Sequence, residues 1–355
     1  MEYNDIFPQI SGVLIPWYEK NKRDLPWRKD RDPYHIWISE IMLQQTRVEA
    51  VKAYYSRFLE VLPTVEALAN VDDDLLNKLW EGLGYYSRVR NMKKAAQQIV
   101  ALHDGVFPGE YEKILDLPGI GVYTAGAICS IAYNLPIPAV DGNVLRVVSR
   151  LTNDATPIDL PGYKKWVTER LARIYPKQAG DFTQALMELG ATVCGPNCKP
   201  DCSICPCKGF CLGYRMGTAD KLPVKLPKRA KRVEEITVFI LSCGGMYALE
   251  KRPAKGLLAG LWQFPNTTGC LSSQEALAYL SDRGMHPSEL RLQLDRKHIF
   301  THIQWDMRGY YIELSQPDPT YHWFTAEQVE SQTALPTAFR QFWDDRPTFT
   351  DTAVI

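Results

Sequence analysis

Two acidic residues stand in surroundings that predict opposite protonation states for their carboxyl groups. Glu40 lies inside the apolar stretch HIWISEIMLQQT, residues 35–46, where loss of water raises a carboxyl pKa and lets the group keep its proton near neutral pH. Asp141 precedes the apolar run GNVLRVV at the position of a helix N-cap, where backbone amides keep a carboxylate ionised. A proton donor and a fixed negative charge together suit glycosidic cleavage, which protonates a leaving group and stabilises an oxocarbenium-like sugar. A helix-surface glutamate and an ordinary capping aspartate are the alternatives that these residues leave open.

A glycine turn forms a second candidate site. Gly119 and Gly121 lie in LPGIGVYTAG, between two stretches with helical periodicity. Glycines one residue apart allow backbone angles that other residues resist. The free N–H groups of a helix that begins there can hold a phosphate oxygen. A plain turn between packed helices is the alternative.

The cysteines predict a metal site. Six of the nine lie between Cys194 and Cys211, and in a reducing compartment such a cluster more often binds metal than forms disulfides. The spacing Cys202-x2-Cys205-x5-Cys211 contains a single CxxC pair. A structural zinc site usually has two such pairs, so the single pair disfavours a zinc site.

The elements that must position these residues fall into two kinds. The chain has 355 residues, which suits two or three domains. Residues 1–217 show the i, i+3, i+4 apolar pattern of helices, residues 218–232 form a basic, proline-containing linker, and residues 233–345 mix strand-like runs such as ITVFILSC with helical stretches such as SQEALAYLSDRG. We therefore expect an all-α N-terminal domain and an α+β C-terminal domain.

Charge and hydropathy limit the partners. Lys plus Arg equals Asp plus Glu, 41 each, so any DNA-binding surface must be a local patch. The first residues do not resemble a signal peptide, and apolar runs stay far short of a membrane span. We expect a cytoplasmic monomer with no membrane partner.

Five segments together resemble the MutY-type adenine DNA glycosylases of the helix–hairpin–helix superfamily. They are LPWRKDRDPYHIWISEIMLQQTRV, WEGLGYYSRVRNM, LPGIGVYTAGAI, PAVDGNVLRVVSRL and FTQALMELGATVC. The resemblance implies a six-helix barrel of about residues 29–135 and an iron–sulfur cluster domain made of residues 1–28 with 136–217. It also implies that residues 233–345 form a Nudix-like lesion-recognition domain, and that the substrate is double-stranded DNA with adenine opposite 8-oxoguanine or guanine. The target adenine would be flipped into a pocket.

The resemblance also implies roles for individual residues. Glu40 matches the general acid/base and Asp141 the transition-state stabiliser, with Tyr123 and Asn143 beside them. The residues that match the adenine pocket are Trp27, Arg28, Leu43, Gln184 and Glu188; those that match base-stack wedges are Gln45 and Tyr85; those that match the 8-oxoguanine loop are Phe300, Thr301 and His302. The family usually has Ser where Thr301 stands, and both offer a hydroxyl. Ordinary packing is the alternative for the pocket residues, above all for Trp27 and Leu43.

Tyr123 distinguishes this chain from lyase relatives. Endonuclease III-like enzymes carry a nucleophilic Lys at this place after the hairpin, and the phenol of Tyr123 cannot form an imine. The resemblance therefore implies a monofunctional glycosylase.

The family's cluster spacing, C-x6-C-x2-C-x5-C, assigns the cysteine ligands. It implies a [4Fe–4S] cofactor held by Cys194, Cys202, Cys205 and Cys211, with one residue inserted after Cys194. Cys198 and Cys207 are then extra thiols.

The C-terminal domain resembles a Nudix domain without its catalytic helix. A Nudix hydrolase needs a glutamate-rich R-E-x-x-E-E helix to bind metal, and SSQEALAYLSDRG lacks it. Three other functions remain open: a catalytically silent lesion reader, a nucleotide hydrolase, and an endonuclease III-like lyase. The intact Glu40 and Asp141 disfavour a silent lesion reader. The missing glutamates disfavour a nucleotide hydrolase, and Tyr123 disfavours a lyase.

Overall fold

The computed structural model describes residues 6–196, 199–227 and 230–347. The chain divides into two compact units. The first contains the residues up to Val71 and Arg90–Pro227; the second contains Asp72–Val89 and the residues from Lys228 onward. Each unit is described by itself.

The first unit is helical, as its sequence pattern predicts. Its helices are α1 (Phe7–Asn21), α2 (Pro33–Met42), α3 (Val48–Val61), α4 (Val65–Asn70), α6 (Ser87–Leu102, which crosses the unit boundary), α7 (Tyr111–Leu115), α8 (Val122–Tyr133), α9 (Gly142–Thr152), α10 (Pro161–Ala172), α11 (Ala179–Thr192) and α12 (Leu212–Arg215). Within the described ranges, no helix combines the length and the hydropathy that crossing a bilayer requires.

Three helices of this unit carry the residues singled out for acid–base chemistry. Helix α2 bears Glu40, α8 bears Tyr123, and α9 begins directly after Asp141. Helix α8 lies close to the segment that leads into Asp141, because a Cβ at Gly126 would overlap the carbonyl oxygen of Pro138. Glycine at 126 therefore allows the approach that brings Tyr123 and Asp141 to the same region.

The apolar faces of helices α1, α9 and α11 share one core. Ile10 and Leu14 of α1 pack with Val147 of α9 and with Leu186 of α11, and all are fully or almost fully buried. The same core extends to Cys207 and Cys211. The cysteine-rich segment is therefore anchored on the helices that also carry Asn143 and Glu188.

The second unit contains a mixed sheet with helices on both faces. Its elements are α5 (Asp73–Leu79), β1 (Arg232–Cys243), β2 (Met246–Lys251), β3 (Trp262–Gln263), β4 (Asn266–Thr268), α13 (Ser273–Ser281), β5 (Pro287–Ile299), β6 (Ile303–Leu314), β7 (His322–Thr325), α14 (Ala326–Gln332) and α15 (Thr337–Asp344). The main strand order is β3-β2-β1-β6-β5, with β4 beside β1 and β7 beside β2. The β1–β6 pair is parallel, with Arg232 opposite Ile303, and the other described pairs are antiparallel.

Strand β1 separates two cores because successive side chains point to opposite faces. Val238 and Ile240 pack with Phe339 and Phe342 of α15. Phe239 packs on the other face, in a core that includes Ala276 and Leu280 of α13. The α+β class predicted for this region is confirmed.

Strand β5 was not among the predicted strands. In PSELRLQLDRKHI, leucines alternate with charged and polar residues, and the exposure of the side chains alternates in the same way. Such alternation is a strand pattern, although a weak one when few of the residues are β-branched or aromatic.

Segment 72–89 belongs by its contacts to the second unit, a grouping that the residue pattern does not indicate. Lys78 Nζ donates to the Thr333 carbonyl at 2.9 Å, and the Leu335 amide donates to Glu81 at 2.9 Å. Lys251 forms an ion pair with Asp74 at 2.8 Å. These partners lie far apart in the chain, so local periodicity carries no signal of them.

Candidate active site

Glu40 is a buried carboxyl group with one hydroxyl partner. Its side chain is 6% exposed, and Oε2 accepts a 2.7 Å hydrogen bond from Tyr123 Oη. Burial raises the pKa of Glu40 to about 7, the hydrogen bond from Tyr123 opposes that rise, and the charge of Asp141 adds to it. Burial and the two nearby carboxylates likewise raise the pKa of Tyr123, which stays a neutral donor. Glu40 can therefore hold and release a proton near neutral pH.

Asp141 is fixed by the start of α9. Its Oδ1 accepts from the amides of Asn143 and Val144, at 2.9 and 2.8 Å, and its Oδ2 accepts from Asn143 Nδ2 at 2.6 Å. Three donors leave the carboxylate group little freedom to turn. The capping role expected from the sequence is present.

One cavity of about 600 Å³ contains the predicted acid–base and pocket residues. Its lining includes the predicted acid–base group, the predicted adenine pocket and one predicted wedge: Glu40, Tyr123, Asp141, Asn143, Trp27, Arg28, Leu43, Gln184, Glu188 and Gln45. The volume lies in the range of small-molecule sites. The structure brings these residues together; their roles stay predictions.

Arg23 also lines this cavity and was missed by the sequence analysis. Arg23 Nε and Arg28 Nη2 each lie 2.7 Å from an oxygen of Glu188, whose side chain is completely buried. Burial alone would raise the pKa of Glu188, but hydrogen bonds from Arg23 and Arg28 outweigh it and hold the pKa below its usual value. Arg23 and Glu188 are 165 residues apart, so only the folded chain reveals the pair.

Two arginines of α9 connect this region with the cysteine segment. Arg146 donates to Asn143 Oδ1 and to the carbonyl oxygen of Cys194, each at 2.9 Å. Arg150 donates to the same carbonyl at 3.0 Å and approaches Cys194 Sγ at 3.2 Å. The Asn143 side chain, which donates to Asp141, is therefore itself fixed by a hydrogen bond from Arg146.

Four thiols converge on a second, smaller cavity. Cys194, Cys202, Cys205 and Cys211 line it, together with Arg150. Cys207 is completely buried in the neighbouring core and is not part of this lining, and Cys198 lies outside the described residues. Among the residues that are described, no three Cys, His, Asp or Glu side chains surround a single metal position. Four thiols around one cavity match the number and type of ligands that a [4Fe–4S] cluster takes.

The glycine turn has the geometry that its sequence predicts. Gly119 has φ +79°, and a Cβ there would press on Asn91. Gly121 is the N-cap of α8 and has no side chain to occupy the free amides. The turn therefore presents backbone donors at the start of a helix, as a phosphate site requires.

Both predicted wedge residues have left-handed backbones. Gln45 has φ 60° and Tyr85 has φ 47°, a conformation that costs a residue other than glycine about 1–2 kcal/mol. Such strain is concentrated at functional positions. The Tyr85 side chain is 48% exposed, and its hydroxyl lies 3.0 Å from Thr301 Oγ1 within the second unit.

The Phe300–His302 loop joins β5 to β6 and is held at its base. The Phe300 ring meets Trp305 edge-on, with centroids 4.8 Å apart. Lys231 Nζ donates to the Phe300 carbonyl at 2.7 Å, and the Arg232 amide donates to the His302 carbonyl at 3.1 Å. Thr301 and His302 are both exposed, and the Thr301 hydroxyl is hydrogen-bonded to Tyr85.

Comparisons with known proteins identify both parts of the chain. The HhH-GPD superfamily of base excision DNA repair proteins matches residues 38–165, and the NUDIX domain matches residues 237–345. A Mus musculus protein named adenine DNA glycosylase is 35% identical, over 96% of this chain and 80% of its own length. The chain belongs to the adenine DNA glycosylase family. The chain is also 37% identical to the Arabidopsis thaliana member over 86% of its length, although it spans only 57% of that protein's length.

Solved structures agree on the fold of the glycosylase's helical part. A thermostable thymine-DNA glycosylase superposes with a TM-score of 0.54 at 28% identity, covering 60% of this chain and 97% of its own. An endonuclease III–DNA complex superposes with a TM-score of 0.50 at 24% identity, covering 59% of this chain and 97% of its own. The helix–hairpin–helix glycosylase fold expected from the sequence is confirmed.

Proposed function

We propose that this glycosylase hydrolyses the N-glycosidic bond of adenine mispaired with 8-oxoguanine or guanine in double-stranded DNA. The observation that carries the proposal is the pairing of a buried, proton-holding Glu40 with a fixed Asp141 in one cavity. The two groups differ in environment, and such pairs divide the roles of acid and anion between them.

Glu40 and Asp141 meet two different requirements of bond cleavage, a proton for the leaving base and a negative charge beside the sugar. Glu40 gives its proton to the leaving adenine, which takes the electron pair of the broken C–N bond. Asp141, held by its three donors, stabilises the positive charge that develops on the sugar. Water then adds to the sugar carbon and its proton returns to Glu40, so the enzyme ends as it began.

The pocket wall supports this chemistry by being rigid. Glu188 is clamped by Arg23 and Arg28, which makes its buried charge tolerable and fixes the guanidinium N–H groups that remain. We assign these three residues, with Trp27, Leu43 and Gln184, to binding of the flipped base.

Tyr123 supports hydrolysis without strand cleavage. A phenol hydrogen-bonded to Glu40 stands where lyase relatives have an amine, so this position offers no nucleophile for an imine. The expected product is an abasic site in an unbroken strand.

Contacts with DNA are assigned to separate parts of each unit. In the first unit, the amides at Gly119 and Gly121 would hold a phosphate and Gln45 would enter the base stack. In the second unit, Tyr85 would enter the stack and Phe300, Thr301 and His302 would read the 8-oxoguanine. Their exposure and geometry fit such contacts.

We also propose that Cys194, Cys202, Cys205 and Cys211 hold a [4Fe–4S] cluster. When bound there, the cluster cross-links the loop between Cys194 and Cys211 and stabilises its fold. Acid–base chemistry stays with Glu40 and Asp141.

Base release by the purified protein tests the function. A duplex with adenine opposite 8-oxoguanine should release adenine, and its strand should break only after alkali. Glu40→Gln should bind the duplex but release no adenine, because the amide keeps the shape and cannot give a proton. Glu60→Gln, an exposed residue of α3, is the matched control and should act like the wild type. Substantial single-turnover release by Glu40→Gln would contradict the role of Glu40.

Iron content tests the cluster. Cys194→Ser, Cys202→Ser, Cys205→Ser and Cys211→Ser should each lose iron and the associated visible absorption. Cys270→Ser is the control, because this exposed thiol lies outside the cysteine segment and does not line the cavity, and it should keep its iron. If Cys198→Ser bleaches the protein and Cys194→Ser does not, the assignment of the first ligand is wrong.

A further inference from the structure

The turn that carries Tyr85 is held from inside by the side chains of Arg88 and Trp80. The turn runs from Trp80 to Ser87, and it contains two glycines with positive φ, Gly82 and Gly84, before the left-handed Tyr85. Arg88 Nη2 donates to the carbonyl oxygens of Leu83 at 2.9 Å and of Gly84 at 3.1 Å. These are the carbonyls of the two residues that precede Tyr85.

The Arg88 guanidinium also lies against two aromatic rings. Its Cζ is 5.2 Å from the centroid of Trp80 and 5.6 Å from the centroid of Tyr85. Trp80 Nε1 donates to the same Gly84 carbonyl at 3.0 Å. The cation therefore contacts both the backbone and the ring of the strained segment.

These contacts bear on the Tyr85 side chain in particular. A residue other than glycine keeps a left-handed backbone only where its surroundings over-determine it. Arg88 supplies two carbonyl contacts and a ring contact, and nearly half of the Tyr85 side chain stays open to solvent. Burial lowers the pKa of Arg88 to about 10, so the guanidinium is still charged at neutral pH.

We propose that Arg88 is a positioning residue that sets Tyr85 in the conformation with which it enters the base stack beside the lesion. The inference rests on the proposed function, which gives Tyr85 the wedge role. In this role Arg88 acts through its Nη2 contacts with the turn and its contact with the Tyr85 ring.

The experiment is a double-mutant cycle on the full-length, cluster-loaded protein. The variants are Arg88→Met, which keeps the stem and removes the donors, Arg88→Lys, Tyr85→Ala and Arg88→Met/Tyr85→Ala. Lys94→Met, an exposed cation on the same helix, controls for loss of one positive charge. The duplex has adenine opposite 8-oxoguanine and 2-aminopurine next to the 8-oxoguanine. Affinity, single-turnover release and 2-aminopurine fluorescence are measured.

We expect Arg88→Met to weaken binding about tenfold, the size of one lost aromatic–base stacking contact. The 2-aminopurine signal of unstacking should fall to the level of Tyr85→Ala. In the Tyr85→Ala background, Arg88→Met should add less than about twofold, because residues that act as one unit are not additive. Arg88→Lys should retain part of the signal, and Lys94→Met should retain all of it.

Other outcomes overturn the inference. An undiminished effect of Arg88→Met in the Tyr85→Ala background would show that Arg88 acts on general structure, and an equal effect of Lys94→Met would show that only charge matters. If Arg88→Met melts too early to assay, Arg88→Lys decides through its fluorescence, and a full wild-type signal contradicts the inference. Normal binding by Tyr85→Ala would reject the wedge role and the inference together, whereas absence of adenine release by the wild type would reject the proposed function itself.

Discussion

The proposed catalytic cavity and the proposed lesion-reading loop are built in opposite ways. In the cavity, three carboxyl groups have partners within the protein before DNA arrives: Glu40 has Tyr123, Asp141 has Asn143, and Glu188 has its arginines. In the loop, the backbone is fixed at Phe300 and His302 by hydrogen bonds, while the side chain of His302 is exposed to solvent. Chemistry requires groups whose orientation is fixed in advance, whereas reading a base requires groups that remain available.

The difference predicts where substitutions act. A change in the cavity should alter the rate of bond cleavage and spare binding, because the interactions concerned strengthen in the transition state. A change in the loop should alter the choice between duplexes and spare the rate on a bound adenine.

Asp141→Asn should give the largest effect. The amide oxygen can still accept from the backbone amides of Asn143 and Val144 and so cap α9. The NH2 group loses the hydrogen bond from Asn143 Nδ2, and the side chain brings no negative charge to the sugar. Single-turnover release should fall about 100- to 1,000-fold, the usual cost of removing one preorganised electrostatic group. Binding to the lesion duplex should be nearly unchanged.

Asp72→Asn is the matched control for Asp141→Asn. Asp72 caps α5 in the same way, accepting from the amides of Asp74 and Leu75, and does not line the catalytic cavity. Its release rate should equal that of the wild type. Comparable losses in both variants would mean that capping, and not charge at the sugar, explains the Asp141 result.

The pKa of Glu40 predicts the next largest effect, a decline in adenine release with rising pH. With a pKa of about 7, release should decline above neutral pH by about tenfold per unit as the proton donor is lost. Glu40→Gln, measured by binding, should show no matching change. A rate that stays flat from pH 6 to pH 9 would contradict proton donation by Glu40.

The raised pKa of Glu40 also makes the stability of the folded protein depend on pH. The folded pKa lies above the ordinary value of 4.5, so the folded state binds more protons between these values, and stability falls as pH rises from about 4.5 to about 7. Glu40→Gln should therefore be more stable than the wild type at pH 8, by at most about 3 kcal/mol, and nearly equal to it at pH 4. Thermal melts at the two values measure this difference.

The sequence indicated residues that line the cavity, but it did not indicate which segments contact the second unit. Glu40, Asp141 and the pocket residues stand in segments whose order and spacing carry a family pattern, so they could be assigned without coordinates. Arg23 could not be assigned in this way, because its place in the pocket depends on a contact with Glu188, which is 165 residues away in the chain. The association of segment 72–89 with the second unit rests on similar long-range polar contacts, such as Lys78 with Thr333.

That association changes how the second unit should be tested. Removing the chain after residue 230 would also remove the partners of Lys78 and Glu81 and disturb the turn that carries Tyr85. A loss of discrimination in the truncated protein would therefore not identify the loop as its source. Point substitutions in the loop are the sharper experiment.

His302→Ala is the cleanest of these substitutions, because the side chain is exposed and its removal leaves the core intact. It should reduce the preference for adenine opposite 8-oxoguanine over adenine opposite guanine by about 5- to 150-fold, the range of one base-reading contact. Phe300→Ala should act in the same direction, with some added loss of stability from its contact with Trp305.

Substitutions of two lysines of the linker distinguish recognition of 8-oxoguanine from general electrostatic attraction to DNA. Lys225→Met removes an exposed charge and should weaken both duplexes equally, with an effect that fades as salt rises, because phosphate contacts release counterions. Lys231→Met removes the donor to the Phe300 carbonyl and should instead reduce the preference for 8-oxoguanine, by a few-fold at either salt concentration, since one exposed hydrogen bond is worth about 1 kcal/mol. Binding to both duplexes at two salt concentrations distinguishes the patterns. If His302→Ala and Lys231→Met weaken both duplexes equally, the loop attracts DNA without reading it, and the contrast between the two regions fails.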